Sequence, residues 1–268
     1  MSDQWSTGEP QWSTEESEGR RLWPRVLAFA FLFVVLFGGG FALVRWGING
    51  GSSSAHQGSS APAPPKDAAS AALPALVLQQ GDVPPGFSVR VLVRGDQIRG
   101  QTTSTLDLCN GKFPSEALRA ARLQDALLDG QGMEQLSTEA VLYKDPAATE
   151  QALNELKKVV ASCPSKPVAS PVGEPTVTTK FDPAPDAAWA SVPTVDRQAY
   201  SFTTTDQSGK SFPGLAVYLR RGRALIGLYF AQPATAQPAI SGQTTIPGIV
   251  NLFATRLAQL PAPVVGAS

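Results

Sequence analysis

The spacing of apolar and polar positions along this 268-residue chain changes from block to block, and each block predicts a different element. Residues 1–25 carry almost no aliphatic side chains. Val26–Val44 (VLAFAFLFVVLFGGGFALV) then runs nineteen residues without a charge. As a helix that run spans about 28 Å, close to the hydrocarbon thickness of a bilayer. The glycines at 38–40 would weaken a helix in water, but in lipid the cost of unpaired backbone groups keeps it intact. Arg20, Arg21 and Arg25 precede the run and Arg45 alone follows closely. The positive-inside rule therefore puts the N-terminus in the cytoplasm and residues 47–268 outside. Trp23 and Trp46 stand where interfacial aromatics belong. A cleaved signal peptide would have a shorter apolar region and an A-x-A-like site, which RWGINGGSSSAHQ lacks. Residues 26–46 are thus expected to form a single uncleaved signal-anchor helix in the cell membrane.

Before the anchor, QWSTGEP (4–10) and QWSTEES (11–17) form a small tandem repeat in a tail predicted to be disordered. A weak bivalent docking motif is the sharper alternative. After the anchor, residues 47–72 are dominated by Gly, Ser, Ala and Pro and read as a flexible, then polyproline-like, spacer. The folded part is expected over residues 73–260, with 261–268 as a tail.

Within that part the periodicity alternates between strand and helix. LPALVLQQGDVPPGF suggests a short helix stopped by Gly81 and Pro84–Pro85, and Phe87–Val93 alternates like a strand. Residues 117–129 fit either a helix or a strand, and 133–144 reads as a strand. Asp145 can N-cap a helix that Pro146 opens. Ala148, Ala152, Leu156, Val159 and Cys163 then recur at helical spacing until Pro164. RQAYSFTTT, GLAVYLR and RALIGLYFAQ form an antiparallel meander with DQSGKS and RRGR as turns. Ile249, Val250, Phe253, Leu257 and Leu260 mark a terminal amphipathic helix. Strands in runs with a few helices predict an α+β fold: an antiparallel sheet with packed helices, preceded by one transmembrane helix and a disordered linker.

Charge narrows the function classes. Lys and Arg total 22 and Asp and Glu total 22, so the chain lacks the basic excess that nucleic-acid binding requires. The single histidine, His56, lies in the spacer. The folded part therefore has no Cys–His pair, no Ser-His-Asp triad and no histidine-based zinc site. Phosphate-loop, G-x-S-x-G and S-x-x-K patterns are missing as well. A carboxylate pair assembled only by folding stays open, as does a hydrolase built on it. No enzyme activity, cofactor or metal is expected.

The two cysteines, Cys109 and Cys163, lie 54 positions apart, too far for a redox Cys-x-x-Cys. Nothing in the sequence activates Cys109 as a nucleophile. In an extracytoplasmic domain an even pair points to a disulfide, with about 4 kcal/mol of loop-closure stabilisation.

LVLQQGDVPPGF, LCNGKFPSEALRAAR, TEAVLYKDPAATEQALNELKKVVASC and LAVYLRRGRALIGLYF together resemble the actinobacterial extracytoplasmic sensor-type domains typified by the PknH-like extracellular domain. The resemblance covers roughly residues 73–260. It implies one α+β domain with an antiparallel sheet, disulfides, and a groove for an envelope ligand. The kinase-linked members have four cysteines and this chain has two, and no kinase precedes the anchor. Signalling by phosphorylation is therefore not implied, and no family binding residue maps to a position here.

Two features remain as ligand-binding candidates. Arg220, Arg221 and Arg223 form either a solvated turn or a contact for anionic lipid head groups or cell-wall polymers. Trp189, Tyr200 and Tyr218, among the aromatics of the C-terminal half, either pack a core or line a cleft. The expected function is a membrane-anchored, extracytoplasmic binding or sensor-type domain for an envelope ligand, lipid or glycan. The alternative is a structural or assembly factor docking on another membrane protein.

Overall fold

The computed structural model describes residues 70–92, 105–106, 108–163, 168–169, 178–184, 189, 191–205 and 208–266. The expected anchor, the tryptophan repeat and nearly all of the spacer lie outside the described residues. Among those described, no helix is long and apolar enough to cross a membrane.

The protein is a mixed α+β structure built on one antiparallel sheet. Its strands are β1 (Ser88–Val91), β2 (Arg119–Leu128), β3 (Glu134–Tyr143), β4 (Val168–Ala169), β5 (Thr178–Pro183), β6 (Asp196–Thr205), β7 (Ser211–Arg221) and β8 (Ala224–Phe230). Seven of these exceed two residues; β4 is a two-residue edge. The spatial order β1-β2-β3-β8-β7-β6-β5-β4 joins two meanders, β1–β3 and β4–β8, at the central β3–β8 pair. Helix α1 (Pro146–Ala161) makes the crossover between them, and α2 (Ile246–Ala258) and the short α3 (Ala262–Val265) close the chain.

Local chemistry explains most of these elements. The Asp145 carboxylate accepts the Ala148 N–H at 2.7 Å and Pro146 opens α1, as the sequence predicts. Thr245 caps α2 in the same way, accepting from Gly248 N–H at 3.2 Å. Every residue of β8, ALIGLYF, is buried, as a central strand covered on both faces requires.

The ambiguous stretch 117–129 resolves as strand β2. Its odd positions Ala121, Leu123 and Leu127 face one core, while β1 and β3 supply ladder partners on both sides. Pairing on both edges overrides the helical propensity of its Ala, Leu, Arg and Gln residues. The opening segment forms two 3-10 turns, Ser70–Leu76 and Gln80–Asp82, with Leu73 and Leu76 buried. The residues expected as a tail also belong to the domain. Val265 is fully buried, and its carbonyl accepts the Arg223 N–H at 2.8 Å. β5 went unassigned in the sequence because its polar residues and terminal Pro183 do not alternate like a half-buried strand.

The sheet separates two cores. On one face α2, the opening 3-10 turn and Val265 meet Leu136, Ala140, Leu142, Val217, Ile226 and Leu228. On the other, α1 meets Val141, Tyr143, Tyr218, Leu225 and Tyr229. The register alternates cleanly: even positions of β3 serve the α2 face and odd ones the α1 face.

Candidate functional site

The α1 face is crossed by a strap, described at residues 105–106 and 108–118, that ends at the start of β2. Its sequence, TLDLCNGKFPSEAL, places Leu106, Leu108 and Phe113 in the α1-side core, at 1, 0 and 8 % exposure. Burying three such side chains stabilises by about 6 kcal/mol, whereas ordering the backbone of the eight described residues within 105–113 costs about 10 kcal/mol. The strap is therefore not self-supporting, and the bonds along it decide whether it stays seated.

Those bonds are of three kinds. Cys109 and Cys163 form the expected disulfide, with Cα atoms 5.7 Å apart, tying the strap to the end of α1. Gly111 lies so close to α1 that a Cβ there would stand 2.6 Å from Val159 Cγ1, so only glycine allows this approach. At the far end Ser115 donates both its N–H and its hydroxyl to Glu155 Oε2 of α1, at 3.0 and 2.6 Å.

Beneath the strap lies a cluster of buried charges that the sequence reading did not single out. Arg122 and Glu139 form an ion pair with both side chains fully buried. Glu139 also accepts from the Thr105 hydroxyl at 2.8 Å and the Tyr229 hydroxyl at 3.2 Å, and Arg122 donates to Gln124 Oε1 at 2.6 Å. Arg119 donates to Thr105 Oγ1 at 2.9 Å and pairs with Glu116 at 3.2 Å. Glu116 accepts the backbone N–H groups of Thr105 and Leu106, folding the strap onto itself.

Burial pushes the Glu116 carboxyl up to about 7 against the opposing pull of Arg119 and those two N–H groups. Tyr143 is fully buried in the field of Glu116, Arg119, Glu139 and Glu155; its hydroxyl has no hydrogen-bond partner, and burial raises its pKa well above the usual tyrosine value.

The strands position this cluster by register. Gln124 stands opposite Glu139 in the β2–β3 ladder, and Arg122 two residues away reaches it diagonally. Tyr229 arrives from β8 because Gly227, two residues earlier on the same face, leaves room for its hydroxyl. A Cβ at 227 would lie 2.4 Å from that oxygen. The one sequence signal was polarity at period two, Arg122 and Gln124 in β2 with Glu139 inside an otherwise apolar β3.

The six ligand-binding candidates do not converge. Tyr200 and Tyr218 belong to the α1 face, where their rings stack edgewise toward Tyr229, with centroids 6.4 and 6.0 Å apart along the row. Arg220 bridges Asp196 at 3.0 Å and Glu150 of α1 at 3.7 Å. Trp189 lies on the opposite face, half-buried against the α2-side core with the Arg197 guanidinium 4.9 Å above its ring. Arg221 donates to the carbonyls of Leu257 and Leu260 at the end of α2, and Arg223 to that of Val264. The RRGR turn thus spends these two charges on helix C-termini, where cations are favoured. Three candidates face each side of the sheet, so they do not share one pocket.

The α2 face holds its own buried carboxylate. Asp125 accepts a short hydrogen bond from Thr138, and burial pushes it up to about 8. Glu134, at the start of β3, is 4 % exposed with neither carboxylate oxygen bonded, and burial alone pushes it up to about 8. Among the described residues no three His, Cys, Asp or Glu side chains are grouped to hold a metal ion.

The chain matches no protein-family model and no curated protein. Among solved structures it is similar to the crystal structure of the extracellular domain of PknH from Mycobacterium tuberculosis. That match has a TM-score of 0.44 and 11 % sequence identity, and it covers 71 % of this chain and 97 % of that one.

Proposed function

We propose that this chain is a membrane-anchored protein whose α+β domain stands outside the membrane as a binding or sensor-type module. It would bind a lipid or glycan ligand of the envelope at the α1 face. The observation that carries the reading is the Arg122–Glu139 pair, fully buried and completed by Thr105, Gln124 and Tyr229. A buried ion pair stabilises a fold no better than apolar packing of the same volume. Keeping one under a separately tethered strap makes sense where the cluster serves recognition.

Each carboxylate of the cluster is already committed to a backbone or side-chain donor. That suits a site that positions and exchanges polar contacts better than one that transfers protons. The balanced charge and the spacer ahead of the domain suit reversible binding at a distance from the bilayer.

Native mass spectrometry of the full chain recovered from its own envelope tests this. A co-purifying lipid or glycan supports the reading. A chain that carries no small molecule but crosslinks to one protein partner replaces it with the docking alternative.

A further inference from the structure

The strap's attachments are unequal, and the difference assigns the disulfide a role beyond stapling the fold. Both cysteines are half-buried, so the bond is within reach of an attacking thiolate, whereas Leu106 and Leu108 just before Cys109 are sealed in the core. Cys109 also holds φ 56° and ψ 22°, the left-handed region that a residue with a Cβ seldom adopts without a restraint. The bond joins two neighbouring pieces of the α1 face, the strap and the residue just past the C-cap of α1, and its cysteines belong to none of β3, β7 or β8. The strap is the part whose seating is balanced closely enough for one tie to decide it.

We propose that the Cys109–Cys163 bond is a dithiol-releasable latch that holds the strap closed over the charge cluster. A dithiol thiolate attacks one sulfur, a mixed disulfide forms, and the dithiol's second thiol resolves it. The two electrons and two protons pass to Cys109 and Cys163 as free thiols, and the dithiol leaves as its own disulfide. Freed from α1, Cys109 relaxes out of its left-handed conformation. Residues 105–113 detach, and Thr105 leaves Glu139 and Arg119. The β2–β3–β8–β7 ladder and the α2-side core stay folded, because neither contains a residue of 105–113. The latch stands on this geometry alone; its use as a gate rests on the binding reading above.

The test is hydrogen exchange on the full chain, oxidised and after dithiothreitol, with reduction verified by the mass gain of two hydrogens. The expected result is a loss of protection of about tenfold or more at Thr105, Leu106 and Gly111 with none at Val141, Val217 or Ile226. Trypsin should cut faster after the exposed Lys112 in the same sample. Cys163→Ser, needing no reductant, should behave as the reduced chain does. Unchanged protection of the strap after verified reduction overturns the latch. So does an equal loss at Val217 and Ile226, which would make the bond a staple of the whole fold. Neither outcome depends on whether a ligand co-purifies, so the latch and the binding reading fail separately.

Discussion

On the α2 side of the sheet, Phe253, Leu257 and Ile249 close against Val217, Ile226 and Leu228 in an interior where aliphatic packing dominates. On the α1 side, the helix contributes Ala148, Ala152, Leu153 and Leu156, but the sheet offers four tyrosines and an Arg–Glu pair, and a strap has to be tied across the gap. Both sides are buried to the same depth. They differ in what would happen if one contact were lost. An apolar face loses stability in proportion to the volume removed, whereas a polar face fails abruptly when one partner of a buried pair is left alone.

The sharpest way to break this contrast is a single change on each side. Glu139→Gln should lower unfolding free energy by about 4 kcal/mol in denaturant titration, because Arg122 then stays buried without a countercharge. Phe253→Ala should cost a similar amount, about 4 kcal/mol, through the cavity it leaves. Repair separates them. Replacing both members of the pair, Arg122→Met with Glu139→Met, should recover most of the loss, whereas no second change at a charged residue should rescue Phe253→Ala.

A smaller effect tests the buried carboxyls. Unfolded, Glu134 and Asp125 release their protons near pH 4; folded, they keep them up to about 8. Between those values the unfolded state binds fewer protons, so stability falls as pH rises from about 4 to 8 and levels off above. Glu134→Gln should therefore raise the unfolding free energy measured by denaturant titration at pH 8, by an amount on the order of 2 kcal/mol, and change it little at pH 4. An equal shift at both pH values would show that the carboxyl finds a partner. The smallest change belongs to the surface. Arg220→Ala breaks pairs whose acidic partners are 61 and 62 % exposed, and thermal unfolding should register less than about 1 kcal/mol.

Much of the scaffold was legible in the chain, and the reasons are local. Asp145–Pro146 announces α1 whatever surrounds it, and Ile249–Leu257 displays one apolar stripe. The β6–β8 meander alternates around two turns, and the cysteine pair was correctly joined. The elements left open or missed depend on partners outside their own stretch of sequence. β2 became a strand because β1 and β3 lie beside it, and Val265 is buried because the Arg221–Arg223 turn reaches it. The charge cluster needed the most distant information. Thr105, Arg122, Glu139 and Tyr229 come from four separate segments, and only the β2–β3–β8 register brings them together. The arginines at 220–223 were easy to see for the opposite reason: they are adjacent in sequence, yet folding sends them to different faces.

On the proposed reading, the α1 face is built for recognition around a fully buried ion pair, at a cost that aliphatic packing of the same volume avoids. The most direct test of that reading is native mass spectrometry of the full chain recovered from the envelope, comparing the natural sequence with the Arg122→Met, Glu139→Met chain. The account predicts that the altered chain folds to within about 2 kcal/mol of the natural one and comes out without the lipid or glycan the natural chain carries. An altered chain that folds and still carries that molecule would contradict it.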